Sequence, residues 1–568
     1  MKEKLVPSEP RLKGMDQVLT LLESEEMPDG GIVNWKQLAE RVKPYHSMFE
    51  FTENIRETVR EYVAAKFPGV KKDIGAFKEL GDKQLLDALT MGWFEGVEEE
   101  VSGKRREVLL AVAAHIVKRI ETKAERELLS KATPAQLQEL DIDPAIRDLT
   151  VDLLDASAKA DPLFVRFLAY SQLSGEPPEE ATPTGMHMPG SEGLHTIAEL
   201  FPHETQFIAK RYEGIANKGG SWSNMPGGEI FAEYLRALAR YYSSTDTKGS
   251  AKTFKEAEQK YAELLATDFP VMLTMPTEGY FKEPYLDPEL KISISNRETK
   301  GEEASFRQAR DLVADSLAEL GMGRFSSDIK NSDIKSGIVL GGFGVNLTFN
   351  AVAQEKPGYV LFLNEQIRTY DRDFVKFSEM ITGADKAFEN ISPEERGVYI
   401  EHLSRTTTML HEFGHPVYGD DSPESNRLGR KPLTIIDEIK AEALWRSLMP
   451  YLQKEGLPGS REQWAIAMLV SAGMMLKDQP EDDPYFSAAV FALNDLFARG
   501  AVVFNDKKIT ITNIDAFYEI VKPLGPEVLA LYGDEGMAER KAVGWIKERC
   551  TPSPKLKKFI QFAKKWQQ

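Results

Sequence analysis

ISPEERGVYIEHLSRTTTMLHEFGHPVYGDD, residues 391–421, is the stretch on which the reading of this chain turns. Ser392 precedes Pro393, and Glu395 follows three residues after the serine. This is an N-cap hydroxyl, a proline at the first helical position and a carboxylate able to bond back to the cap. A helix starts there. Carried through, it places His411 and His415 four residues apart on one face, where two imidazoles can reach one Zn2+ ion, with Glu412 beside them to polarise a bound water. Pro416 disfavours helical geometry at the residue before it, so the spacing predicts His415 in the last turn of the helix. The chain has only eight histidines, which weakens the bland reading of this pair as core residues.

A hydrolytic zinc site takes three protein ligands and leaves the fourth position to water. TIIDEIKAEALWRSL, residues 434–448, offers the third. It reads as a helix starting near Thr434, with Glu438 and Glu442 on one face and Leu444, Trp445 and Leu448 among the packing positions. Glu438, 23 residues after His415, is the first choice, and Glu442 is its competitor. The carboxylates left over, Glu442 and Asp437, suit the hydrogen bonds that fix the far nitrogens of zinc histidines. Asp420 and Asp421 follow His415 too closely to be preferred.

Upstream, KISISNR alternates apolar and polar positions, and GIVLGGFGVNLTF and GYVLFLNEQI are rich in branched and aromatic residues broken by glycine, which predicts a small sheet. AVVFNDKKITITN predicts a hairpin turning at Asn505 and Asp506. Gly341, Gly342 and Gly344 lack a following helix start at dinucleotide-loop spacing and read as strand bends. Between residues 15 and 242, apolar residues recur every three or four positions, the pattern of successive amphipathic helices, interrupted by a loop at 174–193. The expected fold class is α+β, predominantly helical. Two lobes flank a cleft, with a small mixed sheet in one lobe and a helical zinc-binding lobe. The expected divisions are a helical lobe at 1–295, a sheet-containing connection with a substrate-binding strand at 296–372 and a catalytic lobe at 373–568.

With 568 residues, 42% hydrophobic and 28% charged, the chain can bury a large core. Its single cysteine, Cys550, excludes an intrachain disulfide and any multi-cysteine metal cluster, so a metal must be held by His, Asp or Glu. Charge returns at the N-terminus where a signal peptide would carry its apolar segment, which predicts a cytoplasmic protein. The longest apolar run, residues 464–476, falls short of the roughly 20 residues a membrane span needs, so none is expected. A formal charge of −18 argues against nucleic acid as a partner and favours the amino end of a peptide. The lysines at 555, 557, 558, 564 and 565 surround Phe559, Ile560, Phe562 and Trp566 at roughly helical spacing and predict a terminal helix packed on the body, with a membrane-surface role as the alternative.

Taken as a pair, HEFGH and DEIKAEALW resemble the dipeptidyl peptidase III family of zinc peptidases, whose second motif has the form EECRAE with its second glutamate on the metal. That register also selects Glu438. TEGYFKEPYLDP, residues 277–288, is similar to the family's ESYIGFIESYRDP, and GFGVNLTFN, residues 342–350, is similar to its GINIPN. The resemblance implies that Glu278 binds a substrate's amino terminus, that Tyr280 stabilises the transition-state oxygen, and that Asn346 and Asn350 hold the peptide backbone. In PYFSAAVFALNDLFARGAV, residues 484–502, Tyr485 stands where the family carries a histidine near the zinc, and its phenol can donate the same hydrogen bond. The family has one more residue between its histidines, a longer gap than the 22 residues that separate His415 from Glu438 here, and one fewer residue between its asparagines. The implied protein is a peptidase with one Zn2+ ion that acts on peptide substrates and releases dipeptides from the free amino end. The alternatives are an endo-acting oligopeptidase or aminopeptidase of another HExxH family, and a non-catalytic binding protein stabilised by zinc.

Overall fold

The structure, a computed structural model, describes residues 126, 129–139, 141–174, 182–187, 193–278, 285–286, 290–295, 297–340, 351–354, 360–364, 368–419, 422–481, 483–505 and 507–566. The helices expected before residue 126 lie outside these.

Two hydrophobic cores organise the described chain. The first is built by helices α1 (Pro144–Ser174), α2 (Pro202–Lys218), α3 (Gly228–Tyr242) and α4 (Thr247–Leu265). Helix α3 shows why: Phe231, Tyr234, Leu235, Leu238, Tyr241 and Tyr242 recur at helical spacing and are all buried. The side chain of Asp246 caps α4 by accepting from Gly249 N at 2.8 Å. The region expected as a loop, 174–193, carries at its end the two-residue strand β1 (Met186–His187), which pairs with β2 (Leu194–His195).

After α4 come β3 (Val271–Leu273), the short pair β4 (Thr277–Glu278) and β5 (Tyr285–Leu286), and β6 (Ile292–Ile294). Helix α5 (Arg297–Ser316) leads to β7 (Asp333–Leu340), β8 (Ala351–Gln354) and β9 (Val360–Asn364). One five-stranded sheet runs β3-β6-β7-β9-β8, antiparallel except for the parallel β7–β9 pair. The sheet is mixed, as expected, but it serves both cores. Val271, Leu273, Ile292, Ile294 and Leu340 belong to the first and Ile334 to the second. The buried Tyr234 hydroxyl ties α3 to this sheet by donating to Leu273 O at 3.1 Å.

The second core is formed by α5, α6 (Arg368–Ser378), α7 (Pro393–Glu412), α8 (Arg430–Lys454), α9 (Arg461–Asp478), α10 (Pro484–Ala498), α11 (Leu524–Gly533) and α12 (Pro554–Ala563). Helix α8 is at its centre. Ile436, Ile439, Ala441, Leu444, Trp445, Leu448, Met449 and Leu452 leave no solvent-facing side, as befits a helix packed all round. In α12, Leu556, Phe559, Ile560 and Ala563 are buried while its lysines face outward, so this basic tail packs on the body.

The hairpin β10 (Val502–Asn505) and β11 (Lys508–Ile511) differs by one residue from expectation. Asn505 pairs with Lys508, which places it in the strand, and Lys507 takes the left-handed turn conformation at φ 64. Burial of Val502 and Ile509 sets this register, because a one-residue slip would turn both to the other face. Among the described residues no helix is long and apolar enough to cross a membrane.

Candidate metal centre

Helix α7 begins as its sequence dictates. Ser392 Oγ accepts from Glu395 N at 3.2 Å and Pro393 occupies the first turn. It ends sooner than expected, at Glu412, so His415 lies beyond the helix in the turn that follows. Pro416 explains this, because its ring collides with the carbonyl four residues back, which is that of Glu412. The turn is tight. Gly414 N donates to His411 O at 2.8 Å, His415 N to Glu412 O at 3.3 Å, and Tyr418 reaches φ 53. Helix α8 begins at Arg430, four residues before the expected Thr434, behind Gly429 at φ 79. It crosses close behind the turn.

The crossing brings the expected residues of both motifs together. His411 Nδ1 lies 3.0 Å from Glu442 Oε1, and His415 Nδ1 is hydrogen-bonded to Asp437 Oδ2. An ionised carboxylate can only accept, so each Nδ1 carries a hydrogen, and in a neutral ring Nε2 is left with a lone pair. The two Nε2 atoms stand 3.2 Å apart, and Glu438 Oε2 lies 3.1 Å from His411 Nε2. Glu438 is buried, and no hydrogen bond of proper geometry satisfies its Oε2. Ligands held at about 2.0–2.1 Å around a tetrahedral zinc are spaced about 3.3 Å from one another. His411 Nε2 thus has a second lone-pair nitrogen and an orphaned buried carboxylate oxygen at about this spacing, donor types that suit Zn2+.

His411, Glu412 and His415 also offer ligand atoms within 4.8 Å of one another. Glu412 Oε2, however, is 3.9 Å from His415 Nε2, wider than a shared tetrahedral edge. The electrostatics follow from the four acids around two rings. Burial alone would lower the His411 pKa, but Glu438 and Glu442 raise it well above the ordinary range. His415, opposed by burial in the same way, is raised to about 9, chiefly by Asp437. Burial would raise Asp437 and Glu442, yet both are held low, Asp437 by Lys440 and His415 and Glu442 by Arg446 and His411. Ligation requires neutral imidazoles, so a metal entering here displaces protons.

Tyr485 joins the site from the first turn of α10, whose Asp483 cap accepts from Tyr485 N at 2.7 Å. Its ring centroid is 6.0 Å from that of His411. Glu278 lies on β4, paired with Tyr285 of β5. Tyr280, Asn346 and Asn350, like Asp420 and Asp421, lie outside the described residues. Sequence reasoning misses three residues that the structure puts against the centre: Lys440, Arg446 and Gly414. Basic residues three and four positions after Asp437 and Glu442 are the available signal, but on a helix this spacing ordinarily marks a solvated face.

Two imidazoles close together, with carboxylate acceptors behind both rings and two further glutamates alongside, are side chains that could hold a single metal ion. Two solved structures resemble the chain. Dipeptidyl-peptidase III from Corallococcus sp. strain EGB is 15% identical over 64% of this chain and 67% of its own, with a TM-score of 0.47. DPP III from Caldithrix abyssi is 12% identical over 82% of this chain and 93% of its own, with a TM-score of 0.48. Both names are those of the family that the two motifs resemble, and at these scores the likeness says nothing of the site. No family model matches the chain, and no curated protein does.

Proposed function

We propose that the chain is a zinc-dependent peptidase, with His411, His415 and Glu438 as ligands and Glu412 as general base. The observation that carries this reading is the approach of His415 Nε2 and the unsatisfied Glu438 Oε2 to His411 Nε2, while both Nδ1 atoms are tied to carboxylates. When bound, zinc would acidify a water and polarise the scissile carbonyl. Glu412 takes the proton of the attacking water and passes it to the departing amine. Tyr485, beside His411, donates its phenolic hydrogen to the developing oxyanion, a part that Tyr280 would otherwise fill. A purely structural zinc site closes with a fourth protein ligand and has no use for Glu412, which disfavours the binding-protein reading.

The finer proposal, release of dipeptides from the free amino end, rests on the motif resemblance at Glu278, Asn346 and Asn350. These residues would hold the substrate's amino group and backbone in a cleft between the lobes. Digestion of a free-amino octapeptide and its N-acetylated twin, read by mass spectrometry with and without a zinc chelator, tests it. Dipeptides from the free peptide alone, abolished by the chelator, are expected. Cleavage of both peptides at internal bonds keeps the zinc chemistry and discards the dipeptidyl reading, leaving an endo-acting oligopeptidase. Cleavage of neither sinks the peptidase proposal.

A further inference from the structure

The two carboxylates that steady the imidazoles are each met from behind by a buried cation. Glu442 Oε2 accepts from Arg446 Nε at 2.8 Å and Nη2 at 2.5 Å, and Asp437 Oδ1 forms an ion pair with Lys440 Nζ at 2.5 Å. Arg446 is 1% exposed and Lys440 not at all. A buried ion pair adds little stability over well-packed apolar side chains of the same size. A fully buried ammonium is therefore best explained by what else it touches.

The two cations differ in this respect. Arg446 spends its remaining reach on Met468 O of α9, at 2.8 Å. Lys440 instead donates to His415 O at 3.2 Å, with Tyr418 O at a longer 3.5 Å, beneath the ring of Tyr532 at 5.4 Å. The carbonyls at a helix C-terminus have no partner within the helix. The turn that carries His415 has left α7 three residues earlier, and it ends at Tyr418 in a backbone conformation that costs a non-glycine residue about 1 kcal/mol or more. The turn has backbone hydrogen bonds of its own, and Ser425 Oγ donates to Tyr418 O at 2.9 Å. The carbonyl of His415 is held by Lys440 of the neighbouring helix.

We infer that Lys440 is a positioning residue for His415: a single ammonium holds the His415 main chain directly and the His415 ring through Asp437. Both the place of the imidazole and its rotation are then set from α8, the same helix that supplies Glu438. This deepens the zinc reading and depends on it. Loss of the ammonium loosens the His415 carbonyl and removes the cation that faces Asp437, so that His415 Nε2 no longer points at His411 Nε2.

The test is zinc affinity by competition with a chromophoric chelator, together with the visible spectrum of the cobalt-substituted protein, for the wild-type chain, Lys440→Met and Lys440→Arg. Lys440→Met is expected to weaken zinc by about 10- to 100-fold, the range for lost partners of metal ligands, and to alter the cobalt bands. Lys440→Arg, which keeps the charge and donors, is expected to recover most of the loss. Should Lys440→Met fail to fold, the double variant Asp437→Asn with Lys440→Gln leaves no buried charge unpaired and must show at least a tenfold loss. Zinc affinity within twofold of wild type and an unchanged cobalt spectrum, in Lys440→Met or in the double variant, overturn the inference. Absence of zinc binding in the wild-type chain removes the metal-site reading and this inference together, whereas tight wild-type binding that Lys440→Met leaves intact removes this inference alone.

Discussion

Replacing Gly414 with alanine adds a single methyl group and removes no polar group. A Cβ at Gly414 would stand 2.6 Å from Ala441 Cα, 3.1 Å from Ala441 O and 3.1 Å from His411 O. Carbon atoms in contact ordinarily sit about 3.5–4.0 Å apart, so the turn and α8 must separate by roughly 1 Å. All the atoms in the way are backbone, and Ala441 is fully buried, so no side chain can swing aside. Overpacking of this kind costs about 1–3 kcal/mol. The same separation would stretch the 3.0 Å His411–Glu442 hydrogen bond beyond useful length and move the histidines off Glu438. A misplacement of about 1 Å costs on the order of a hundredfold in rate, and zinc affinity is expected to fall at least tenfold by loss of the contacts behind the rings. Gly397 is the control. It lies within α7, and a methyl group there would meet nothing within 4 Å, so Gly397→Ala is expected to be neutral or to stabilise by about 0.5–1 kcal/mol through helix propensity. Thermal melting and chelator competition on both variants provide the assay. Gly414→Ala with wild-type zinc affinity and melting temperature would refute the close approach as the reason for glycine.

Other outcomes separate the roles of the acids and cations. Glu438→Gln is expected to weaken zinc by more than 100-fold and Glu442→Gln by about 10- to 100-fold; the reverse order in chelator competition would make Glu442 the ligand. Arg446→Met strips the buried Glu442 carboxylate of its cation and is expected to cost about 3–5 kcal/mol, seen as a clear drop in melting temperature. Adding Glu442→Gln to that variant should return part of the loss, and a further drop would contradict the pairing.

What the sequence makes legible is chemistry that local rules govern. The Ser392–Pro393–Glu395 start of α7, the two histidines and the acidic face of α8 are all readable because capping, spacing and ligand type act within a few residues. The end of α7 falls one turn earlier than expected, because the pre-proline rule points to His415 whereas the steric clash of Pro416 reaches back to Glu412. Asn505, expected in the turn, lies in the strand paired with Lys508, because register depends on which strand face meets the core. Strand β3 escapes a sequence reading, since Val271, Met272 and Leu273 are all apolar and buried and show no alternation. Lys440, Arg446 and Gly414 are hidden for a different reason. Their meaning depends on α7 and α8 crossing at close range, and nothing in either helix alone announces that crossing.

The central claim is that Glu412 acts as a base beside zinc rather than as a ligand, and one variant tests it most directly. Glu412→Gln keeps the shape of the side chain and removes its capacity to take a proton. Bound zinc and peptide turnover measured on the same preparation should show about one zinc per chain and a rate lower by about 100- to 10,000-fold. Near-normal turnover with zinc in place, or loss of the zinc itself, would contradict the account.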